Sequence, residues 1–405
     1  MIGLRKLLLV FTAVARLTYA HPLLSHENDH PPRDAGRYIV TLRDGLGSSS
    51  VDQHIRRASS LHARSNSPMV EMGKRWNIGS WNAYSCTMDR DTLAKISTDE
   101  AVEIVEPDSE IALARHITQS DSPWGLGAIS HRLTNKTEYV YDSRAGEGTY
   151  AYILDTGLLT SHDEFEGRAS LGYNAVGGSF VDPFGHGTHV AGTIGGKTYG
   201  VAKKSKLISV KIFSEYKSYT SDLLDGYHWA VNNITGQHRQ ETSVISISAG
   251  GEVKEAVNRA VEEAYKQGIL TIVSAGNSNE DAKNFSPASS PKVITVGAIG
   301  RQNTRSNFSN WGDSVDIFAP GERVQSAWIR SNQDSRSVDG TSMATPHISG
   351  LVLYLKSVIP YRMKSPDDSI KELKRLATSN VIINAKSSNN LLGFNGNGIV
   401  IVADD

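Results

Sequence analysis

The 405-residue chain carries a net charge of −1 and 39% apolar residues. That composition fits a globular protein of two or three domains and gives no basic footprint for nucleic acid. One cysteine, Cys86, excludes an intramolecular disulfide, and no stretch reaches the roughly 18 apolar residues a membrane span needs.

In chain order, Arg5 and Lys6 precede "LLLVFTAVA", and small residues stand at Thr18 and Ala20. This predicts a secretory signal over residues 1–20. Residues 21 to 36, rich in His, Pro and acidic residues, predict a mobile segment. "RYIVTL" then reads as a strand, and "VDQHIRRASSLHA" as a helix with Val51, Ile55, Ala58 and Leu61 on one face. A strand at 80–88, a helix at "DRDTLAKIS" and a strand in "VEIVEPDSEIAL" complete the ferredoxin-like α+β order. Cys86 sits in the alternating run "WNAYSCTM", where a buried, inert thiol is expected. "ARHITQSDSPWGLGAIS" has no clear pattern.

From about residue 149, strands alternate with helices. "TYAYILDTG", "KLISVKIF", "SVISISAGG", "ILTIVSAGN" and "KVITVGAI" are near-continuous apolar runs, as in parallel strands covered on both faces. Between them lie "SDLLDGYHWAVNNITG" and "EVKEAVNRAVEEAYKQG", the latter with Val253, Val257, Ala260, Val261 and Ala264 on one face and Gly268 as its stop. "SVDGTSMATPHISGLVLYLKSV" reads as an apolar helix from Ile348 onward. The prediction is a doubly wound α/β domain with a mostly parallel sheet, whose site lies beyond the carboxyl ends of the strands.

Four polar residues fall at that edge. Asp155 directly follows "YAYIL"; an Asp there either caps a turn or presents a carboxylate. His186 and His189 open a helix in "GHGTHVAGTIGG", with no further residues nearby to complete a metal site. Asn277 in "SAGNSN" either ends a strand or aims an amide N–H at an anion. Ser342 follows Gly340-Thr341 and precedes Pro346, as a helix cap or as a nucleophile at a helix N-terminus. Together they supply a nucleophile, a base, an orienting carboxylate and an oxyanion donor.

"ILDTG", "GHGTHVAGTI", "SAGN" and "GTSMATPH" resemble the subtilases, specifically the proteinase K subfamily of secreted fungal alkaline serine proteases. The chain order Asp, His, Ser is that of subtilisin; an α/β-hydrolase would need Ser first, in a G-x-S-x-G elbow. The resemblance runs from "SPWGL" to "LLGFNG", and the preceding 80 residues resemble the family's inhibitory propeptide. It implies a broad-specificity endopeptidase made as a self-processing zymogen, with Asp155, His186 and Ser342 as the triad and Asn277 as oxyanion donor. Domains of 1–20, 21–115 and 116–405 follow, with cleavage between Leu113 and Ile117.

The resemblance also places Ser248, Ala249 and Gly250 on one wall of the primary substrate pocket and Gly276 on the other. Ala249 departs from the leucine expected there, and Tyr216, Lys217 and Tyr219 depart from the Gly-Ser-Gly pattern of a second binding strand. A structural calcium ion is implied at the carbonyls of Pro291 and Val293 and the carboxylate of Asp316, with chelation costing heat stability. The disulfide cysteines of proteinase K are absent, Tyr150 and Ile294 standing at two of their positions. Sequons at Asn135, Asn233, Asn284 and Asn307 permit glycosylation of a secreted protein, although Pro287 after Ser286 disfavours Asn284. The implied partners are protein and peptide substrates and the chain's own propeptide, with no nucleic acid or membrane, for an extracellular monomer.

Overall fold

The computed structural model describes residues 36–62, 72–108, 116–214 and 217–398. The expected signal, the expected mobile segment up to residue 35 and most of the expected cleavage range lie outside these residues, while Gly36, expected at the end of the mobile segment, already opens the first strand. The chain divides into two compact units, one up to Leu113 and one from Ala114.

In the first unit, β1 (Gly36–Leu42), α1 (Ser48–His62), β2 (Met72–Ile78), β3 (Trp81–Met88), α2 (Arg90–Ser97) and β4 (Val102–Pro107) follow the ferredoxin-like order. The strands form an antiparallel sheet in the order β2-β3-β1-β4. Alternate residues Val40 and Leu42 of β1, and Tyr84, Cys86 and Met88 of β3, pack against Ile55 and Ala58 of α1 and Ile96 of α2. Asp89 caps α2 by accepting the Thr92 N–H at 2.7 Å. Burial pushes the Cys86 thiol up to about 11, so it stays protonated and inert.

The second unit opens with β5 (His116–Gln119), α3 (Trp124–Ser130) and β6 (Tyr139–Asp142). A sheet then grows from β7 (Tyr150–Asp155), β8 (Ala169–Asn174), β9 (Lys206–Lys211) and β10 (Ser243–Ile247), with α4 (His186–Gly195) and α5 (Thr220–Gly236) between them. It continues past a short β11 (Gly251–Glu252) and α6 (Glu255–Lys266) into β12 (Thr271–Ser274). β13 (Phe285–Ser286) pairs with β11, while β14 (Ile294–Ile299) and β15 (Ile317–Pro320) extend the sheet. The hairpin β16 (Val324–Ala327) and β17 (Ser335–Val338) precedes α7 (Thr341–Val358), α8 (Pro366–Leu376), β18 (Thr378–Ser379) and β19 (Leu391–Leu392).

Strand order is β18-β19-β15-β14-β12-β10-β7-β9-β8, with only the β18–β19 pairing antiparallel. Both faces are covered, which explains the continuous apolar runs. Ala151 and Ile153 of β7 meet Val190 and Ile194 of α4 and Ile348 and Leu351 of α7. Tyr152 and Leu154 point the other way, toward Ala230 and Ile234 of α5 and Val261 of α6. The chain winds from β7 out to β8 and β9, then crosses to β10 on the other side of β7. The end of β7 is therefore a topological switch point.

Three readings need correction. α7 begins at Thr341 with Gly340 as its N-cap, so Ser342 lies inside the first turn instead of capping the helix, and Pro346 lies in the second turn. Val253 is 47% exposed and precedes α6, which starts at Glu255. The patternless stretch contains β5 and α3; packing carries α3 although "WGLGAIS" holds two poor helix formers.

Candidate active site

Asp155 ends β7 at the switch point and is 1% exposed. Its Oδ1 accepts the Thr156 N–H at 2.8 Å and lies 2.7 Å from Nδ1 of His186, the first residue of α4. This approach requires glycine at 187, where a Cβ would stand 2.1 Å from the Gly157 carbonyl oxygen. Burial opposes the charged imidazolium of His186, but the Asp155 charge and hydrogen bond, with Asp182 behind them, outweigh it. The ring therefore titrates above the ordinary 6.5.

Ser342 is the second residue of α7. Gly340 before it has φ 150° and ψ 157°, a region that side chains disfavour, and a Cβ there would stand 3.7 Å from Nδ2 of Asn277. Pro346, four residues after Ser342, has no N–H to give to the Ser342 carbonyl. That carbonyl instead accepts the Ser248 hydroxyl at 2.9 Å, while the Ser342 hydroxyl donates to the Ser248 carbonyl at 2.9 Å. Among the described residues no hydrogen bond joins the Ser342 hydroxyl to His186. Such bonds commonly tighten only when substrate is bound.

Asn277 is oriented by Thr341. Its Oδ1 accepts the Thr341 backbone N–H at 2.9 Å and the Thr341 hydroxyl at 2.8 Å. Only an amide oxygen can accept both, so Nδ2 is the free end of the group. Beside these residues lies a pocket of about 270 Å³ whose lining includes Ser248, Ala249, Gly250, Gly276, Asn277 and Ser342. Phe285 also lines it, and no lining residue is charged. Its volume is just below the roughly 300–1,000 Å³ of small-molecule sites, the scale of one side chain. Tyr219, 79% exposed, lines a second pocket of about 170 Å³ with Phe213 and Leu223. Lys217 is exposed in the same loop, whereas Tyr216 lies outside the described residues.

The remaining candidates are placed apart from this pocket. His189 is buried and its Nε2 meets the carbonyls of Val324 and Arg336 at 2.9 and 3.1 Å; burial pushes it down to about 4. Asn135, Asn284 and Asn307 are exposed, whereas Asn233 is half-buried on α5 with its Oδ1 accepting the Tyr152 hydroxyl at 2.6 Å. Pro291 and Val293 precede β14 and Asp316 precedes β15. The Asp316 carboxylate accepts the Thr295 N–H at one oxygen and Nζ of Lys374 at the other. A carboxylate so engaged does not fit the calcium donor set that the resemblance implies, because a cationic side chain already holds its outer oxygen.

Two supporting residues escape a reading of the sequence. Buried Asp182 accepts from the Thr156 hydroxyl and from the backbone N–H groups of Phe184, Gly185 and Thr188, fixing the turn that delivers His186. Thr341 orients Asn277 across 64 residues of sequence. An Asp four residues before His186 was visible, but no spacing signals its partners.

The Subtilase family model matches residues 146–398, and the Peptidase inhibitor I9 model matches residues 37–114. Alkaline protease 1 of Aspergillus flavus is 46% identical over 403 residues, covering 98% of this chain and 99% of its own. Subtilisin-like proteinase Mp1 of Magnaporthiopsis poae is 50% identical over 370 residues, covering 89% and 91%. A crystal structure of a cold adapted subtilisin-like serine proteinase is 37% identical with a TM-score of 0.63, covering 70% of this chain and 100% of that one. The resemblance and the fold read from the motifs are thus borne out: the chain belongs to the subtilase family, a serine endopeptidase with an I9 propeptide domain ahead of its peptidase domain.

Proposed function

We propose that this protein is a secreted endopeptidase of broad specificity that cleaves after apolar or aromatic residues and frees itself from its propeptide. Ser342 attacks the scissile carbonyl, and His186 takes its proton and returns it to the leaving amine. Asp155 holds the imidazole tautomer and favours its charged form, while Nδ2 of Asn277 and the Ser342 N–H face the developing oxyanion. The acyl-enzyme is then hydrolysed by water through the same groups. The carrying observation is the uncharged, single-side-chain pocket bounded by both Asn277 and Ser342. It puts selection of one apolar residue next to the attacking oxygen. Substrate backbone pairs with the strand end at Ser248 to Gly250, which borders the pocket.

In this reading residues 1–20 are a signal, 21–115 the propeptide and 116–405 the peptidase domain. His116 and Ile117 already belong to β5, which favours a cut on its N-terminal side. Exposed Asn135 and Asn307 suit glycans better than Asn233, which is half-buried with its Oδ1 accepting the Tyr152 hydroxyl. Digestion of a peptide library, with mass spectrometry of the mature protein, tests specificity and processing together. Predominant cleavage after charged residues would sink the specificity.

The pH profile provides a further prediction. His186 accepts a proton only when neutral, and its titration lies above 6.5. kcat/KM should therefore fall as pH drops through that raised value and level off on the alkaline side. An acid limb centred below 6.5 would contradict the Asp155–His186 coupling.

A further inference from the structure

Calcium takes six to eight oxygen ligands and relies on carboxylate charge to hold it. Of Pro291, Val293 and Asp316, only Asp316 brings charge. Its Oδ2 accepts the Thr295 N–H at 3.0 Å, a bond between the residue before β15 and the strand β14 beside it. Its Oδ1 lies 2.9 Å from Nζ of Lys374. Lys374 stands in the last turn of α8, where a helix terminus favours a cation. Leu373 beside it and Leu376 two residues on are almost fully buried, so packing fixes the helix that carries Lys374. The pair is sheltered, with side chains 34% and 22% exposed. A divalent ion sharing that oxygen would face a like charge at contact distance.

We propose that Lys374 is a built-in substitute for calcium: its ammonium supplies the positive charge that joins α8 to the β14–β15 edge. The Asp316 position of the wild-type enzyme then takes up no calcium, and stability is independent of calcium there. Removing the ammonium should open the position to the ion.

The test is thermal unfolding of the full secreted enzyme, first inactivated with a serine-directed sulfonyl fluoride so that autolysis does not contribute. A failure of that reagent to label would count against Ser342 as nucleophile and is separate from the present question. Wild type, Lys374→Met, Lys374→Gln and Asp316→Asn are compared in EGTA and in excess calcium chloride. Wild type and Asp316→Asn should respond alike to calcium, so that no response depends on Asp316. In EGTA, Lys374→Met should melt about 2–4 °C below wild type, the scale of a partly exposed ion pair in a domain of this size. Calcium should raise its Tm in proportion to ligand occupancy, with Lys374→Gln as the second variant should the first not fold. A wild-type rise in Tm that Asp316→Asn abolishes would overturn the proposal. So would lysine variants with no calcium response beyond that of wild type.

Discussion

Replacement of Ser342 by alanine is expected to lower turnover on the order of 10⁶-fold, the scale known for subtilisin, itself of this family. The variant should also remain joined to its propeptide. Both follow from one atom. Asp155, His186 and Asn277 hold their geometry through contacts that do not involve the Ser342 hydroxyl: the 2.7 Å pair, the Asp182 turn and the Thr341 anchors. What disappears is the hydroxyl proposed for acylation, which lines the pocket beside Asn277. Its lost bond to the Ser248 carbonyl leaves an acceptor at a half-open edge, so the variant should fold and serve for stability work. Secretion from a host without similar proteases, followed by intact-mass measurement, is decisive. A normally processed Ser342→Ala protein would show that maturation is not autocatalytic.

The second large effect is at Asn277. Asn277→Ala should reduce kcat by about 10²–10³-fold with little change in KM, a range that also derives from subtilisin. The ground-state carbonyl has little charge to stabilise, so an amide aimed at the oxyanion acts on the transition state. Because Thr341 fixes which end of the amide is free, Thr341→Val, which removes the hydroxyl's bond to Asn277 and also its acceptance of the Gly276 N–H, should show a weaker form of the same signature, about five- to tenfold in kcat for about 1 kcal/mol lost at Asn277. A raised KM at unchanged kcat in Asn277→Ala would make the residue a substrate-binding group instead.

Much of this architecture could be read from the sequence, and the candidate site residues sit where patterns break. Asp155 and Asn277 follow apolar runs, and His186 and Ser342 open helices, so each was marked by a change of periodicity. The strands were visible because a sheet covered on both faces must be apolar throughout. What stayed hidden lacks local signature. The first two turns of α7 are small and polar, so its apolar periodicity shows only from Ile348 onward. α3 forms because Gly125 and Gly127 pack where a Cβ would collide with His347 and the Lys136 carbonyl, which no propensity reports. Asp182 and Lys374 matter through partners that only the folded chain brings near, Lys374 meeting Asp316 across 58 residues.

Pro346 gives the site a mechanical property. By withholding one N–H it keeps the Ser342 carbonyl out of the helical ladder, and Ser248 takes it up from the neighbouring strand end. The returning bond from the Ser342 hydroxyl closes a two-point joint. Helix and pocket wall are thereby tied at two points. The bond from the Ser248 hydroxyl to the Ser342 carbonyl persists when the Ser342 hydroxyl turns to His186, so the proposed nucleophile keeps one tie to the pocket wall as it gives up the other.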